Sequence, residues 1–292
     1  QNVVIGKDAG TALTTGDDNV AIGFSALVTE DTGGQSTAVG VQALRLQNND
    51  AANYNTAVGY NAGGAVTTGT LNTFVGGLAG DALTTGTDNV AVGYQALTND
   101  TLGRHSVAIG DVALSSQNFT TDTASNNTAV GHEAGNGITT GIRNTLMGAH
   151  AGDALTDADE NTAIGGLSLT SDTLGSKSTA IGRGTLGAQN FTTATDSLNT
   201  AVGYFAGNQV TTGTNNTLMG ANTGDALTIG VDNVAFGRSS LTTDVAGKYS
   251  VAIGSSALES QNFTTATDAY NVAVGFKAGE KVTTGIKNTL VG

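Results

Sequence analysis

The chain has 292 residues, of which 43 are Gly, none is Pro or Cys, and only 12% are charged. Its formal net charge of −13 argues against nucleic acid or an anionic membrane as a partner, because both require clustered Lys and Arg. Without Cys there are no disulfides, thiolate nucleophiles or Cys-based metal sites. No apolar run approaches the ~20 residues needed to span a bilayer, so no membrane insertion is expected in this segment.

A five-residue motif recurs along the whole chain. It consists of Asn or Ser, then Thr or Val, usually Ala, then an apolar residue such as Val or Ile, and finally Gly, which we call the marker glycine. Successive marker glycines lie 17 residues apart, except for one spacing of 19 and three of 21. A fixed period of this length predicts a repeat architecture. The seventeen marker glycines are Gly6, Gly23, Gly40, Gly59, Gly76, Gly93, Gly110, Gly131, Gly148, Gly165, Gly182, Gly203, Gly220, Gly237, Gly254, Gly275 and Gly292.

A second period of 72 residues contains four units of the first. We number the units so that the first is the one whose five-residue motif ends at Gly59, Gly131, Gly203 or Gly275. The second unit has a large residue where the others have Ala, and the fourth begins with Ser and carries a four-residue extension. Because the chain begins and ends within this pattern, we expect residues 1–292 to be a single repeat domain and a segment of a longer fibre. The large residues are Phe74, Leu146, Leu218 and Leu290.

Each unit predicts one coil of a β-solenoid. Its apolar residues alternate with small ones over a few positions and are β-branched, which is the pattern of a strand. Glycines and Thr-Thr-Gly clusters interrupt the pattern where a helix would break. The predicted fold class is therefore all-β, a parallel β-solenoid of the β-roll type with about seventeen coils. A second short strand or extended segment is expected near Thr-Thr-Gly, as at Thr67–Gly69 and Thr84–Gly86.

The two faces of the predicted strand differ in size but not in polarity. In Asn55–Gly59, Thr56 and Val58 share one face, while Ala57 and Gly59 share the other. Neither face carries a charge in any copy, so both are expected to be buried, one of them in the coil's own core. The small Ala and Gly row permits close approach of another backbone, either the opposite wall of the same coil or a neighbouring subunit.

The first position of the motif is Asn in thirteen copies and Ser in four. A residue that every coil requires is typical of a structural ladder that caps a turn and hydrogen-bonds coil to coil, rather than of a ligand-binding array. The predicted ladder includes Asn55, Asn72, Asn89, Asn127, Asn144, Asn161, Asn199, Asn216 and Asn233.

Three further sets of residues recur at 72-residue intervals. Leu residues four positions after the marker glycine in third and fourth units are expected in the core, as at Leu97 and Leu114. The Phe of each four-residue extension is expected to hold that loop against the body. Acidic residues that could contact Ca²⁺ are interpreted instead as solvated turn acids. The Phe set is Phe119, Phe191 and Phe263, and the acidic set includes Asp100, Asp172 and Asp244.

The sequence contains no pattern that predicts catalysis, a metal site or a cofactor. Its three His lie in different unit types, and no Gly-rich segment matches a phosphate-binding loop. The position after each marker glycine, in contrast, varies freely and often holds a bulky residue. Variable side chains on a constant scaffold suggest a recognition ridge, although simple solvent exposure explains them equally well. The candidate ridge residues are Tyr60, Tyr94, His132, Arg183, Tyr204, Arg238 and Phe276.

The motif resembles the head repeat of trimeric autotransporter adhesins, the YadA-like, haemagglutinin-type β-roll. Ser106–Gly110, Ser250–Gly254 and Asn89–Gly93 carry the resemblance most clearly, and it extends over the whole chain. It implies left-handed parallel β-rolls, three side by side in a homotrimer, which attach to a host surface without catalysis. The coils here are longer than is common in that family. Similar repeats occur in bacteriophage tail fibres.

These observations predict a non-enzymatic, extracellular fibre segment at a cell or virion surface. We expect a homotrimer, without cofactors, that serves adhesion and contacts a host-surface protein or glycan. A phage tail-fibre shaft and a self-assembling structural filament are the two alternatives.

Overall fold

The computed structural model describes residues 1–292, which form two compact units, Gln1–Arg143 and Asn144–Gly292. Both units are parallel β-solenoids in which each turn contributes one three-residue strand to a main sheet. Together they contain about seventeen turns at the 17-residue spacing, so the predicted fold class is confirmed. None of the segments forms a helix with the length and apolarity that a membrane crossing requires.

The first unit has a main sheet of eight strands, paired in chain order and in register. These strands are β1 (Val3–Ile5), β2 (Val20–Ile22), β3 (Thr37–Val39), β4 (Thr56–Val58), β5 (Thr73–Val75), β6 (Val90–Val92), β8 (Val107–Ile109) and β10 (Thr128–Val130). Two shorter strands, β7 (Gly103–Arg104) and β9 (Thr123–Ala124), pair with each other beside the main sheet.

The second unit repeats this arrangement with nine strands in its main sheet. These strands are β11 (Thr145–Met147), β12 (Thr162–Ile164), β14 (Thr179–Ile181), β16 (Thr200–Val202), β17 (Thr217–Met219), β18 (Val234–Phe236), β20 (Val251–Ile253), β22 (Val272–Val274) and β23 (Thr289–Val291). The additional pairs are β13 (Gly175–Ser176) with β15 (Thr195–Asp196), and β19 (Gly247–Lys248) with β21 (Thr267–Asp268).

The additional strand pairs occur at the four-residue extensions, and the expectation of a strand at Thr-Thr-Gly was wrong. At Thr67–Gly69 the chain bends instead of forming a strand, although Thr67 N–H still donates to Thr84 O of the next turn at 2.9 Å. In the fourth unit the extra residues give the backbone room for a second extended stretch. That stretch pairs with the preceding turn, as β9 does with β7.

The central residue of each strand faces the interior of its own turn. Ala57, Ala108 and Ala201 are completely buried, whereas Val58 and Ile109, on the opposite face, are each 38% exposed. The small row was expected to face either the opposite wall of the same coil or a neighbouring subunit. The Ala side chains pack within the coil, so the first alternative is correct. The expectation that both faces are buried therefore holds for the Ala row of the single chain but not for the β-branched row.

Large core side chains come from different walls in different turns, and their volumes are complementary. In second-type turns the strand supplies Phe74, and a Cβ at Gly63 or Gly80 would lie 2.7 or 2.3 Å from its ring. In third- and fourth-type turns the strand residue is Ala, and the glycine position holds a buried Leu, as at Leu97 (φ 56°). The 72-residue period therefore reflects which wall of the turn supplies the large core side chain, because protein interiors leave little space for voids or overlap.

The recurring acids Asp100, Asp172 and Asp244 are fully buried, so their interpretation as solvated turn acids was wrong. Asp244 Oδ1 accepts hydrogen bonds from the N–H groups of Gly247 (3.1 Å) and Phe263 (3.0 Å). Its Oδ2 accepts from Gln261 Nε2 at 2.6 Å, and the same amide donates to Ser250 Oγ at 3.0 Å. The acid therefore anchors the extension. Ser250 stands where most turns have the longer Asn, and Gln261 connects its hydroxyl to Asp244. Phe119, Phe191 and Phe263 of the extensions are buried.

The Asn residues of the strand motif form hydrogen-bonded ladders within each unit. Asn216 is completely buried; its Nδ2 donates to Gly230 O at 2.9 Å, and its Oδ1 accepts from Asn233 N at 3.1 Å. Asn72 makes the equivalent contacts to Gly86 O and Asn89 N. Each amide thus joins the strand to the opposite wall of its turn and to the next turn.

Removal of one ladder amide should destabilise the fold. Asn216→Ala leaves a buried carbonyl and a buried N–H without their partner, at a cost of roughly 1–3 kcal/mol for each group. We expect a loss of this size in the free energy of unfolding, measured by urea denaturation. The exposed Asn262 provides the control, because Asn262→Ala should change the free energy little. Equal effects of both substitutions would contradict a structural role for the ladder.

The volume complementarity can be tested by converting a second-type turn into a third-type turn. Leu218→Ala should cost roughly 2–5 kcal/mol because it opens a cavity in the core. Gly224→Leu alone should also destabilise, because a Cβ there would lie 3.0 Å from Leu218. The double substitution should recover much of the loss, since Leu241 already adopts the same backbone conformation as Gly224 (φ 53° and 54°). Additive losses in thermal or urea unfolding would show that the two positions do not share a volume.

Candidate functional site

The outward face of the main sheet is a regular, partly exposed surface in each unit. Every turn adds one Thr or Val to it, followed two positions later by Val, Ile, Met or Phe. The parallel register aligns these residues in two rows, and successive members of a row are about 4.8 Å apart. In the second unit the row of later residues includes Ile181 (36% exposed), Ile253 (40%) and Val274 (37%). We call these two rows the strand face.

The strand face carries no charged side chain in any turn. Soluble proteins rarely expose long contiguous apolar surfaces, and such surfaces commonly mark contacts with another protein. Hydroxyl groups reduce the apolar character where Thr occupies the first row, as at Thr56 and Thr200. Sequence reasoning identified both rows but did not predict which of them is exposed, because alternation alone does not distinguish the inside of a thin coil from its outside.

All seven candidate ridge residues are exposed, and they lie directly after the strand face along the chain. In the first unit Tyr60, Tyr94 and His132 occupy alternate turns, and Gly77 and Asp111 occupy the turns between them. At the sheet spacing, alternate turns are about 10 Å apart, so these three side chains form a broken row rather than a cluster.

In the second unit the structure places Arg183 and Tyr204 on successive turns, whereas Arg238 and Phe276 are separated by Ser255.

The ridge residues also differ in their local partners. His132 Nε2 lies 3.6 Å from Asp111 Oδ2 and 3.7 Å from Glu133 Oε1. Lys277 Nζ lies 5.7 Å from the ring centroid of Phe276. These are surface contacts of several kinds, and they bring no nucleophile and base together.

A second exposed row, which sequence reasoning missed, lies on the other side of the strand face. It consists of the residue before each motif, and this position has a positive φ in turn after turn, as at Tyr54 (52°) and Tyr270 (50°). Tyr249 and Tyr270 stack in parallel with their ring centroids 5.1 Å apart. The signal was present in the sequence as a bulky residue before the invariant Asn or Ser. Its large apolar and aromatic members are Tyr54, Leu71, Leu198, Tyr249 and Tyr270, and charged residues occupy several of its other positions.

In comparisons with known proteins, no protein-family model matches the chain, and no curated protein sequence matches it. Functional arguments for this chain therefore depend on its surfaces.

The stacked tyrosines allow a direct test of the local electrostatics. The negative charge of Asp268 raises the pKa of Tyr270 above its ordinary value of 10.0, with smaller contributions from desolvation and from Tyr249. Because Asp268→Asn removes that charge, tyrosinate formation becomes easier and the pKa of Tyr270 should fall. NMR titration of ring-labelled tyrosine measures the change. Asp196→Asn, at the exposed position equivalent to Asp268 but 72 residues earlier, should leave this pKa unchanged.

Proposed function

We propose that this chain is a non-enzymatic segment of an extracellular fibre that assembles as a homotrimer and attaches to a host or cell surface. The observation that carries the proposal is the strand face, which is uncharged in every turn and leaves β-branched and larger apolar side chains about 36–43% exposed at many positions. Burial of such a surface against further copies of the chain removes apolar area from water. The number three comes from the resemblance of the repeat to trimeric adhesin heads.

Attachment is assigned to the rows that flank the strand face. When the strand faces of three protomers meet, bulky side chains such as Tyr60, Tyr94 and Phe276 lie beside the contact, where a host-surface protein or glycan can reach them. Aromatic and Arg side chains dominate the binding energy of many recognition surfaces. Three copies on one fibre also multiply weak contacts, because the second and third binding events become intramolecular.

The shaft of a phage tail fibre is the second candidate. The uniformity of the turns favours it, since the strands β14, β16 and β17 follow one another with the same register and each presents a Thr and an apolar residue on the strand face. A shaft requires only self-association, whereas an adhesin also requires attachment.

Light scattering across a dilution series tests the assembly. We expect a stable mass of three times 28.9 kDa for the native chain and a loss of association for Ile253→Lys, which places a charge on the strand face. The matched control is Ile229→Lys, because Ile229 is similarly exposed (42%) but belongs to the Thr-Thr-Gly row. A monomeric native chain, or equal effects of the two Lys substitutions, would contradict the trimer. Mass that grows continuously with concentration would indicate a filament.

Attachment is tested separately with latex beads coated with the native trimer. We expect the beads to bind cultured epithelial cells or bacterial cells more strongly than beads coated with serum albumin. A trimer that binds neither cell type would contradict the adhesin proposal and favour the shaft.

A further inference from the structure

The repeat is interrupted at one place in the second unit. The second and fifth positions after the marker glycine carry side chains in most turns, but the turn that follows Gly182 has Gly184 and Gly187 there. It is the only turn with glycine at both positions. In a protein of repeated turns, a departure of this kind marks a place where a local requirement differs from the general one. The equivalent residues one period away are Val112 and Ser115, and Ser256 and Glu259.

A notch of about 250 Å³ lies beside these two glycines on the surface. Leu167, Thr170 and Ser171 of the preceding turn line one side of it, and Phe205 and Asn208 of the following turn line the other. The notch therefore combines apolar walls with hydroxyl groups. It is smaller than the ~300–1,000 Å³ of pockets for drug-sized ligands, so it suits a single ring.

The aromatic wall is held in place by the glycines. A Cβ at Gly184 would lie 2.6 Å from Phe205 Cε1, and one at Gly187 would lie 2.8 Å from Asn208 Nδ2. Both side chains thus lie over the glycine backbone, and Asn208 Nδ2 donates to Gly184 O at 2.8 Å. The amide oxygen of Asn208 in turn accepts from Gln209 Nε2 at 2.8 Å. The wall is fixed before any ligand arrives.

A positive charge lies at the rim of the notch. The Arg183 guanidinium carbon is 5.6 Å from the Phe205 ring centroid, and Tyr204 contacts the same ring edge-on with centroids 4.4 Å apart. In the three turns that form the notch, Arg183 is the only charged residue among the six that follow each marker glycine. The guanidinium offers a local partner for an anion at this point, and it acts against the negative net charge of the chain, −13.

We propose that the notch binds one carboxylate-bearing sugar residue, such as the terminal residue of an acidic glycan. The apolar face of the sugar ring packs against Phe205, the carboxylate pairs with Arg183, and a sugar hydroxyl hydrogen-bonds to Ser171. Thr170 Oγ1 already donates to Asp153 Oδ1 at 2.6 Å, so it can only accept from the sugar. Arg suits this role because its planar donor fork matches a carboxylate. The inference deepens the attachment function proposed above and rests on it, since it gives the chemical class of the surface ligand.

Saturation-transfer NMR with the native chain tests the proposal. The probes are N-acetylneuraminic acid and glucuronic acid, and glucose and galactose serve as neutral controls. We expect both acidic sugars to receive saturation and to bind in the millimolar range, at least fivefold more tightly than the neutral sugars. Absence of saturation transfer to the acidic sugars, or equal binding of acidic and neutral sugars, would overturn the proposal without reference to any variant.

Substitutions taken from equivalent turns locate the binding. Arg183→Ser, which introduces the residue found at Ser255, should weaken binding of the acidic sugars at least fivefold. Gly187→Glu, which introduces the residue found at Glu259, should abolish it by filling the notch with a like charge. The matched control is Arg238→Ser in the same row, which should have no effect, and circular dichroism melting checks the fold of each variant. Equal losses with Arg183→Ser and Arg238→Ser would place any binding elsewhere and overturn the assignment.

The bead assay separates this inference from the proposed function. If native beads attach to cells but the chain binds no acidic sugar, the notch assignment fails and the attachment function stands. If the chain binds acidic sugars but the beads attach to no cell, the attachment function fails and the notch remains a sugar site.

Discussion

The fixed translation from one turn to the next is the constraint on which the rest of this protein depends. Within each unit, strands three residues long make too few hydrogen bonds to be stable alone, and they persist because each strand pairs in register with both neighbours. The Asn amides add a bond to the next turn and another across the turn. A marker glycine is required after each strand because its φ is near 135° and a Cβ would meet the next turn's backbone, at 2.4 Å for Gly59. These demands explain why every copy of the motif begins with Asn or Ser and ends with Gly.

The sequence predicted the solenoid, its number of turns and the position of every main strand, because hydrogen-bonded stacking imposes the same period on the residues. The predictions that failed did so for separate physical reasons. The burial of Asp244 depends on donors at Gln261 and Phe263, which lie 17 and 19 residues away along the chain, and no local pattern shows that a turn acid has such partners. The second strand pairs were misplaced because Thr-Thr-Gly has strand-forming residues but a bent backbone. Both faces were expected to be buried, but the β-branched row is partly exposed in the single chain, because alternation defines two faces without saying which one is inside.

The surfaces considered for function were predictable to different degrees. The ridge residues were visible as variation against a constant background, and the structure exposes all of them but gathers few of them together. The notch was not visible as a motif, because it consists of residues from three turns and depends on what two glycines lack. Alignment of the turns by their marker glycines provides the signal, since Gly184 and Gly187 then stand out against Val112 and Ser115. In repeated structures, local function is easier to find as an exception than as a pattern.

The complementary filling of the core also limits how such a chain can change its length. Loss of one 17-residue turn preserves the hydrogen bonds but sets the wrong neighbours together, for example Phe74 over a Leu rather than over Gly63 and Gly80. Loss or gain of a complete block of four turns leaves every neighbour unchanged. Recombination between equivalent blocks is therefore expected in steps of 72 residues, and related chains should differ in length by whole blocks. The packing of the core thus constrains changes in the length of the chain as well as stabilising it.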